Sequence, residues 1–165
     1  MSPTKKVSME TVLGDTGNPL VGTWHLVRWD ISYGDGRAPS LPFGAAATGM
    51  ILYTHDGSMS ACIAQAGRAT LSSDSVRSAP PAERLAAFES FFQYAGRYRV
   101  QSQDGRLQVV HSVTHSHTPN FVGTEQVRWI DWPAPGQLAL SGSDTMPSTA
   151  IARHHRLLWQ RSPQP

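Results

Sequence analysis

A single cysteine, Cys62, stands among 165 residues. An intrachain disulfide and a thiolate metal cluster are therefore both excluded, and Cys62 itself reads as a small core residue. Charge is scarce: Asp, Glu, Lys and Arg make up 16% of the chain, too little for a charge-laced helical protein. Hydrophobic residues reach only 39%, which is low for a large solid core. The formal net charge of +2 comes from basic residues scattered singly. No run of them is dense enough to follow a phosphate backbone, so no nucleic-acid partner is expected. Lys5 and Lys6 are followed by no apolar stretch, since Met9, Val12 and Leu13 are isolated. Neither a signal peptide nor a membrane span is expected, and the expected compartment is the reducing cytoplasm. A phosphate-cradling glycine loop and a nucleophile elbow are also missing.

What fills the gap is turn chemistry. Fourteen Gly and twelve Pro punctuate the chain into short elements. Residues 1–18 are polar, end in Gly17-Asn18-Pro19, and read as a flexible arm before one domain over 19–162. Strands are expected over 20–32, 49–54, 58–65, 98–103, 107–114, 122–132, 137–141 and 151–160. Two Asp-Gly turns, Asp56-Gly57 and Asp104-Gly105, each join two apolar runs and signal hairpins. Pro80-Pro81 opens the one expected helix, about 82–92, with Leu85, Phe88 and Phe92 at helical spacing. Eight strands linked mostly by hairpins, with one helix inserted, predict an all-β, antiparallel up-and-down barrel. A barrel of that size holds one small ligand. Five Trp and four Tyr supply walls for such a cavity.

Gly22-Thr23-Trp24 resembles the Gly-x-Trp opening of the calycins. More closely, the chain resembles the lipocalin-like domain family of small cytosolic bacterial and fungal proteins. The matching pieces are Leu20 to Val27, Tyr53 to Ala61, Tyr94 to Tyr98, Pro119 to Arg128 and Leu157 to Arg161. Together they run in order over about residues 20–161. The resemblance implies a calycin-type barrel and a hydrophobic small molecule as partner. Some lipocalin-like barrels of secondary metabolism cyclise, isomerise or dehydrate natural products and others only bind, and the expectation here is the former. A non-catalytic carrier with the same cavity is the alternative, because fold does not fix function.

Residues Val109 to His117 carry the sharpest local signal. Strict alternation places His111, Val113, His115 and His117 on one strand face. Three readings compete: satisfied wall histidines, general acid–base groups titrating near neutrality, and a metal site. A His-x-His pair is spaced about 6–7 Å along a strand and needs a third ligand from elsewhere, so no metal or other cofactor is expected. Gln126 and Arg128 share a face of the following strand. Arg128 either holds a substrate carboxylate, phenolate or enolate oxygen, makes a structural salt bridge, or closes the barrel floor against Trp24. The expected catalytic set is His115, His117, Tyr98 and Arg128. The expected ligand contacts are Trp24, Arg28, Tyr53, His111, Gln126 and Trp132. A homodimer is compatible with this reading. The dense stretch Arg153-His154-His155-Arg156 reads as well as a solvated strand edge as it does as a binding patch.

Overall fold

The structure, a computed structural model, describes residues 17–163. Residues 1–16 of the expected arm lie outside the described residues. Asn18 belongs to the barrel: its side-chain oxygen accepts from the Leu20 amide at 3.0 Å, and its Nδ2 donates to the Tyr98 hydroxyl at 3.1 Å.

Eight strands form a closed antiparallel barrel in which each strand pairs with the next. They are β1 (Gly22–Tyr33), β2 (Thr48–Tyr53), β3 (Ser58–Ala64), β4 (Phe91–Gln103), β5 (Arg106–Ser116), β6 (Glu125–Asp131), β7 (Gln137–Thr145) and β8 (Ala152–Arg161). β8 returns to pair with β1 and closes the sheet, which removes exposed strand edges. Among the described residues one α-helix, α1 (Pro81–Glu89), joins β3 to β4, and a 3-10 turn (Pro119–Phe121) joins β5 to β6. Among the described residues no helix is long and apolar enough to cross a membrane.

The two ends of the barrel differ because the connections alternate between tight and long. Asp56-Gly57, Asp104-Gly105 and the Pro133 to Gly136 turn all lie at one end. Gly57 and Gly105 take positive φ (84° and 76°), the backbone state such turns demand. The long loop after β1, the segment carrying α1, the 3-10 turn and the loop before β8 lie at the other end.

The hairpin end is plugged. Trp24 is fully buried, donates its indole N–H to the Leu20 carbonyl at 2.8 Å, and packs on Trp132 at 5.9 Å. The Arg161 guanidinium lies 4.0 Å over the Trp24 ring and donates to the Val21 carbonyl at 2.8 Å and to the Pro19 carbonyl. The cation that closes the floor on Trp24 is thus Arg161 and not Arg128.

The helix is shorter than the 82–92 expected. It ends where the Ser90 amide donates to the Ala86 carbonyl. Phe91 and Phe92 continue as sheet opposite Ala64 and Ile63, so β4 begins seven residues before the expected Tyr98. Phe92 packs edge-on against Tyr94 and Phe121 inside the barrel, while Leu85 and Phe88 are left exposed on the helix. Long-range aromatic packing prevailed over local helical spacing.

Two β-bulges break the alternation on which the sequence reading relied. In β1, Leu26 pairs with Trp159 but Arg28 pairs with Leu158, so Val27 is the extra residue. In β5, Val113 pairs with Gly96 but His115 pairs with Ala95, so Thr114 is extra. Gly96 is what admits the second bulge. A Cβ at Gly96 would sit 2.0 Å from the Ser112 carbonyl oxygen, an impossible approach for any other residue.

Candidate ligand-binding site

A cavity of about 420 Å³ opens from the loop end, within the size range of small-molecule sites. Its composition follows from the β7–β8 ladder. Leu138 faces Trp159, Leu140 faces Leu157, Gly142 faces His155, and Asp144 faces Arg153. The rungs pass from apolar at depth to charged at the mouth. Trp29, Ile31, Ile51, Ile63, Phe92 and Phe121 complete the apolar wall.

Three polar groups interrupt that wall. The first is Arg128 on β6, which lines the cavity beside Gln126. Its Nη1 donates to the Val127 carbonyl at 2.8 Å and its Nη2 to Gln126 Oε1 at 3.3 Å. Among the described residues it has no carboxylate partner within salt-bridge distance. Gly142 makes room for it: a Cβ there would lie 3.3 Å from both Cδ and Nη1 of Arg128.

The second group is His111, which is 1% exposed. Its Nε2 is 2.8 Å from the Tyr53 hydroxyl and its Nδ1 is 2.7 Å from the Tyr94 hydroxyl. Burial, reinforced by the positive charge of Arg128, pushes the imidazole down to about 3, so it is neutral at physiological pH. Burial pushes both tyrosines up, and they too are neutral. A neutral imidazole has one N–H. One tyrosine therefore donates to His111 while the other accepts from it and keeps its own proton for a further partner.

The third group sits at the mouth. Asp144 accepts from Arg153 Nε at 2.7 Å and from its Nη2 at 2.5 Å, and lies 3.2 Å from His155 Nε2. The Arg153 bond, with help from His155, holds the Asp144 carboxyl below its ordinary value. Burial lowers His155, and the Asp144 carboxylate partly offsets this. The His155 ring lies beside Trp29, with ring centres 6.2 Å apart. Finally, the indole N–H groups of Trp29 and Trp159, both wall residues, are buried with no hydrogen-bond partner among the described residues.

Of the residues expected from sequence, His111, Gln126 and Arg128 meet in this cavity. Tyr53 stands behind it and reaches it through His111. Trp24 and Trp132 belong to the plugged end. So does Tyr98, whose hydroxyl donates to the Thr54 carbonyl at 2.8 Å and whose ring packs on Tyr53. The β1 bulge turns Arg28 outward, where it faces Asp30 at 3.4 Å. The β5 bulge turns His115 out to solvent, and its Nδ1 lies 2.9 Å from the Thr114 hydroxyl. His117 stacks on Phe88 of α1 at 3.9 Å. The shared face expected for His111, His115 and His117 is therefore split: one is inside and two are outside. Among the described residues no three His, Cys, Asp or Glu side chains converge as a metal site.

Sequence reasoning missed Tyr94, Asp144 and His155. The signal for His155 was present, since alternation back from the buried Trp159 through Leu157 puts His155 on the inner face.

Residues 21–162 match the family model described as a lipocalin-like domain. No curated protein matches the chain.

Proposed function

The chain belongs to the lipocalin-like domain family, and from that premise we propose that its barrel binds a hydrophobic small molecule bearing one oxyanionic group, a carboxylate or an enolate oxygen, at Arg128. The observation that carries this reading is a guanidinium without a carboxylate partner among the described residues, set in a cavity whose deeper wall is largely apolar. A partly buried cation is costly unless an anion or hydrogen bonds compensate it, and two neutral oxygens do so incompletely. The apolar body would lie against Ile63, Leu140, Leu157 and Trp159, where each buried methylene contributes about 0.8 kcal/mol.

A second reading adds catalysis to binding. It is cofactor-independent acid–base chemistry, such as cyclisation, isomerisation or dehydration of an oxygenated metabolite. The Tyr94–His111–Tyr53 chain favours it, because that chain leaves one phenolic proton uncommitted in a desolvated wall.

Calorimetric titration with 2-naphthoate and with 2-naphthamide tests the binding reading. The two probes share shape and differ in charge. The carboxylate is expected to bind roughly tenfold or more tightly, equal to about 1.4 kcal/mol. Arg128→Gln should erase the difference. Equal affinities in the wild-type protein would overturn the assignment.

A further inference from the structure

The mouth of the cavity holds an arrangement that binding alone does not use. His155 faces inward on β8, one rung from the mouth. Asp144 contacts its Nε2 at 3.2 Å, and the other ring nitrogen, Nδ1, makes no hydrogen bond among the described residues. Asp144 is itself held by two bonds from Arg153, so the carboxylate that orients the imidazole cannot swing away. A carboxylate on one nitrogen of an imidazole that lines a cavity, with its other nitrogen free of hydrogen bonds among the described residues, is the arrangement of an oriented general base.

The cation is close by. Gly142 is the cross-strand partner of His155, and the space its missing side chain leaves is occupied by Arg128, with Nη1 3.3 Å from the site of the absent Cβ. Base and oxyanion holder therefore lie over adjacent positions of the same wall. Both are drawn from rungs that are neither at the plugged depth nor fully in solvent.

We infer that His155, positioned by Asp144, is a catalytic base that takes a proton from a carbon next to a carbonyl whose oxygen sits at Arg128. This rests on the reading of Arg128 as an oxyanion site. The step balances within the substrate and the chain. The C–H bond breaks as Nδ1–H forms. The freed electron pair makes a carbon–carbon double bond, and the carbonyl pair moves onto oxygen as an enolate. When the substrate carries a β,γ double bond the enolate is a conjugated dienolate, and return of the proton from Nδ1 to its γ-carbon re-forms the carbonyl and gives the α,β-unsaturated isomer, with no oxidant or reductant. The substrate class is a hydrophobic β,γ-unsaturated carbonyl compound with an acidic α-hydrogen.

The probe is 5-nitrobenzisoxazole, an apolar carbon acid that a base opens in one step. C3–H is lost to the base, its electron pair completes the nitrile, and the N–O bond breaks to give 2-cyano-4-nitrophenolate. The phenolate is followed by its absorbance. The wild-type protein is expected to open the probe about tenfold or more faster than free imidazole at equal concentration, through proximity in a desolvated site. His155→Gln should fall to the imidazole-free background. His154→Gln, altering the outward-facing neighbour, should keep the wild-type rate.

Asp144 is a positioning residue, so its variant needs a readout that a merely structural role would not move. The charged groups facing His155 are Asp144 from β7, Arg153 from its own strand and Arg128 from β6. Asp144→Asn removes the only negative one, so the pH–rate inflection should move to lower pH. Wild-type protein no faster than imidazole, or a His155→Gln variant with undiminished rate, would overturn the proposal. Titration of His155→Gln with 2-naphthoate separates the two readings. Retained tight binding with lost turnover supports both. Weak binding already in the wild type fails the Arg128 site.

Discussion

Acidification should unfold this barrel in part through one imidazole. His111 is neutral in the folded protein because burial and Arg128 push it from 6.5 down to about 3. In the unfolded chain it takes up a proton near 6.5. Between those two values the unfolded state binds one more proton than the folded state, so stability rises with pH by about 1.4 kcal/mol per unit. The contribution is complete above the unfolded value and is lost as pH falls toward the folded one. From pH 7 to pH 4 the loss is roughly 3 kcal/mol, a large share of a domain's usual 5–15 kcal/mol. Other groups act in the same direction, Asp144 and His155 among them. The comparison must therefore be between proteins. Urea unfolding at pH 7, 5.5 and 4 should give a steeper fall for the wild type than for His111→Gln, which does not titrate. The variant is expected to start lower at pH 7, because Tyr53 and Tyr94 lose a partner each. The two curves should then converge on acidification by about 3 kcal/mol. Parallel curves would refute the claim that His111 is held neutral by its surroundings.

Arg161→Leu should destabilise the fold by about 2–4 kcal/mol in urea unfolding, because it removes a cation over Trp24 and leaves the Val21 and Pro19 carbonyls without their donor. A loss under about 0.5 kcal/mol would mean that the plugged end does not depend on it. Gly142→Val should displace the Arg128 side chain, whose Cδ lies 3.3 Å from where the new Cβ would stand. The affinity for 2-naphthoate is then expected to fall roughly tenfold, and an unchanged calorimetric affinity would contradict the placement of the guanidinium.

The barrel was legible in the sequence because its signals are local. Asp56-Gly57 and Asp104-Gly105 fix two hairpins by backbone conformation alone, and all eight strands occur where apolar runs lie between turn residues. The site was legible only in part because inside and outside were assigned by counting in twos. That count fails after each bulge. Nothing near Val27 announces the first bulge, which depends on how β1 meets β8, and so Arg28 was placed inside. The second had a local sign in Gly96, a glycine within a strand, but its effect falls on β5, some eighteen residues away in sequence, and carries His115 outward. On β6, which has no bulge in its pairing with β5, the same count put Gln126 and Arg128 on the correct face. Asp144 and His155 were missed for another reason. A dense polar stretch looks like solvated surface until the partner strand is known, and that strand supplies the carboxylate.

The seam between β1 and β8 has a consequence for the order in which the molecule assembles. Every other pairing joins neighbours in sequence, across connections far shorter than the whole chain. The seam must bring residues 22–33 to residues 152–161, the entropically most expensive closure in the chain. Trp29 stands on one side of it and Leu157 and Trp159 on the other, so the chamber is open along one side until that pairing forms. A guest that touches both sides acts as a staple on the slowest step. It would hold the closed ring shut by slowing its opening, while leaving the rate at which the hairpins first form untouched.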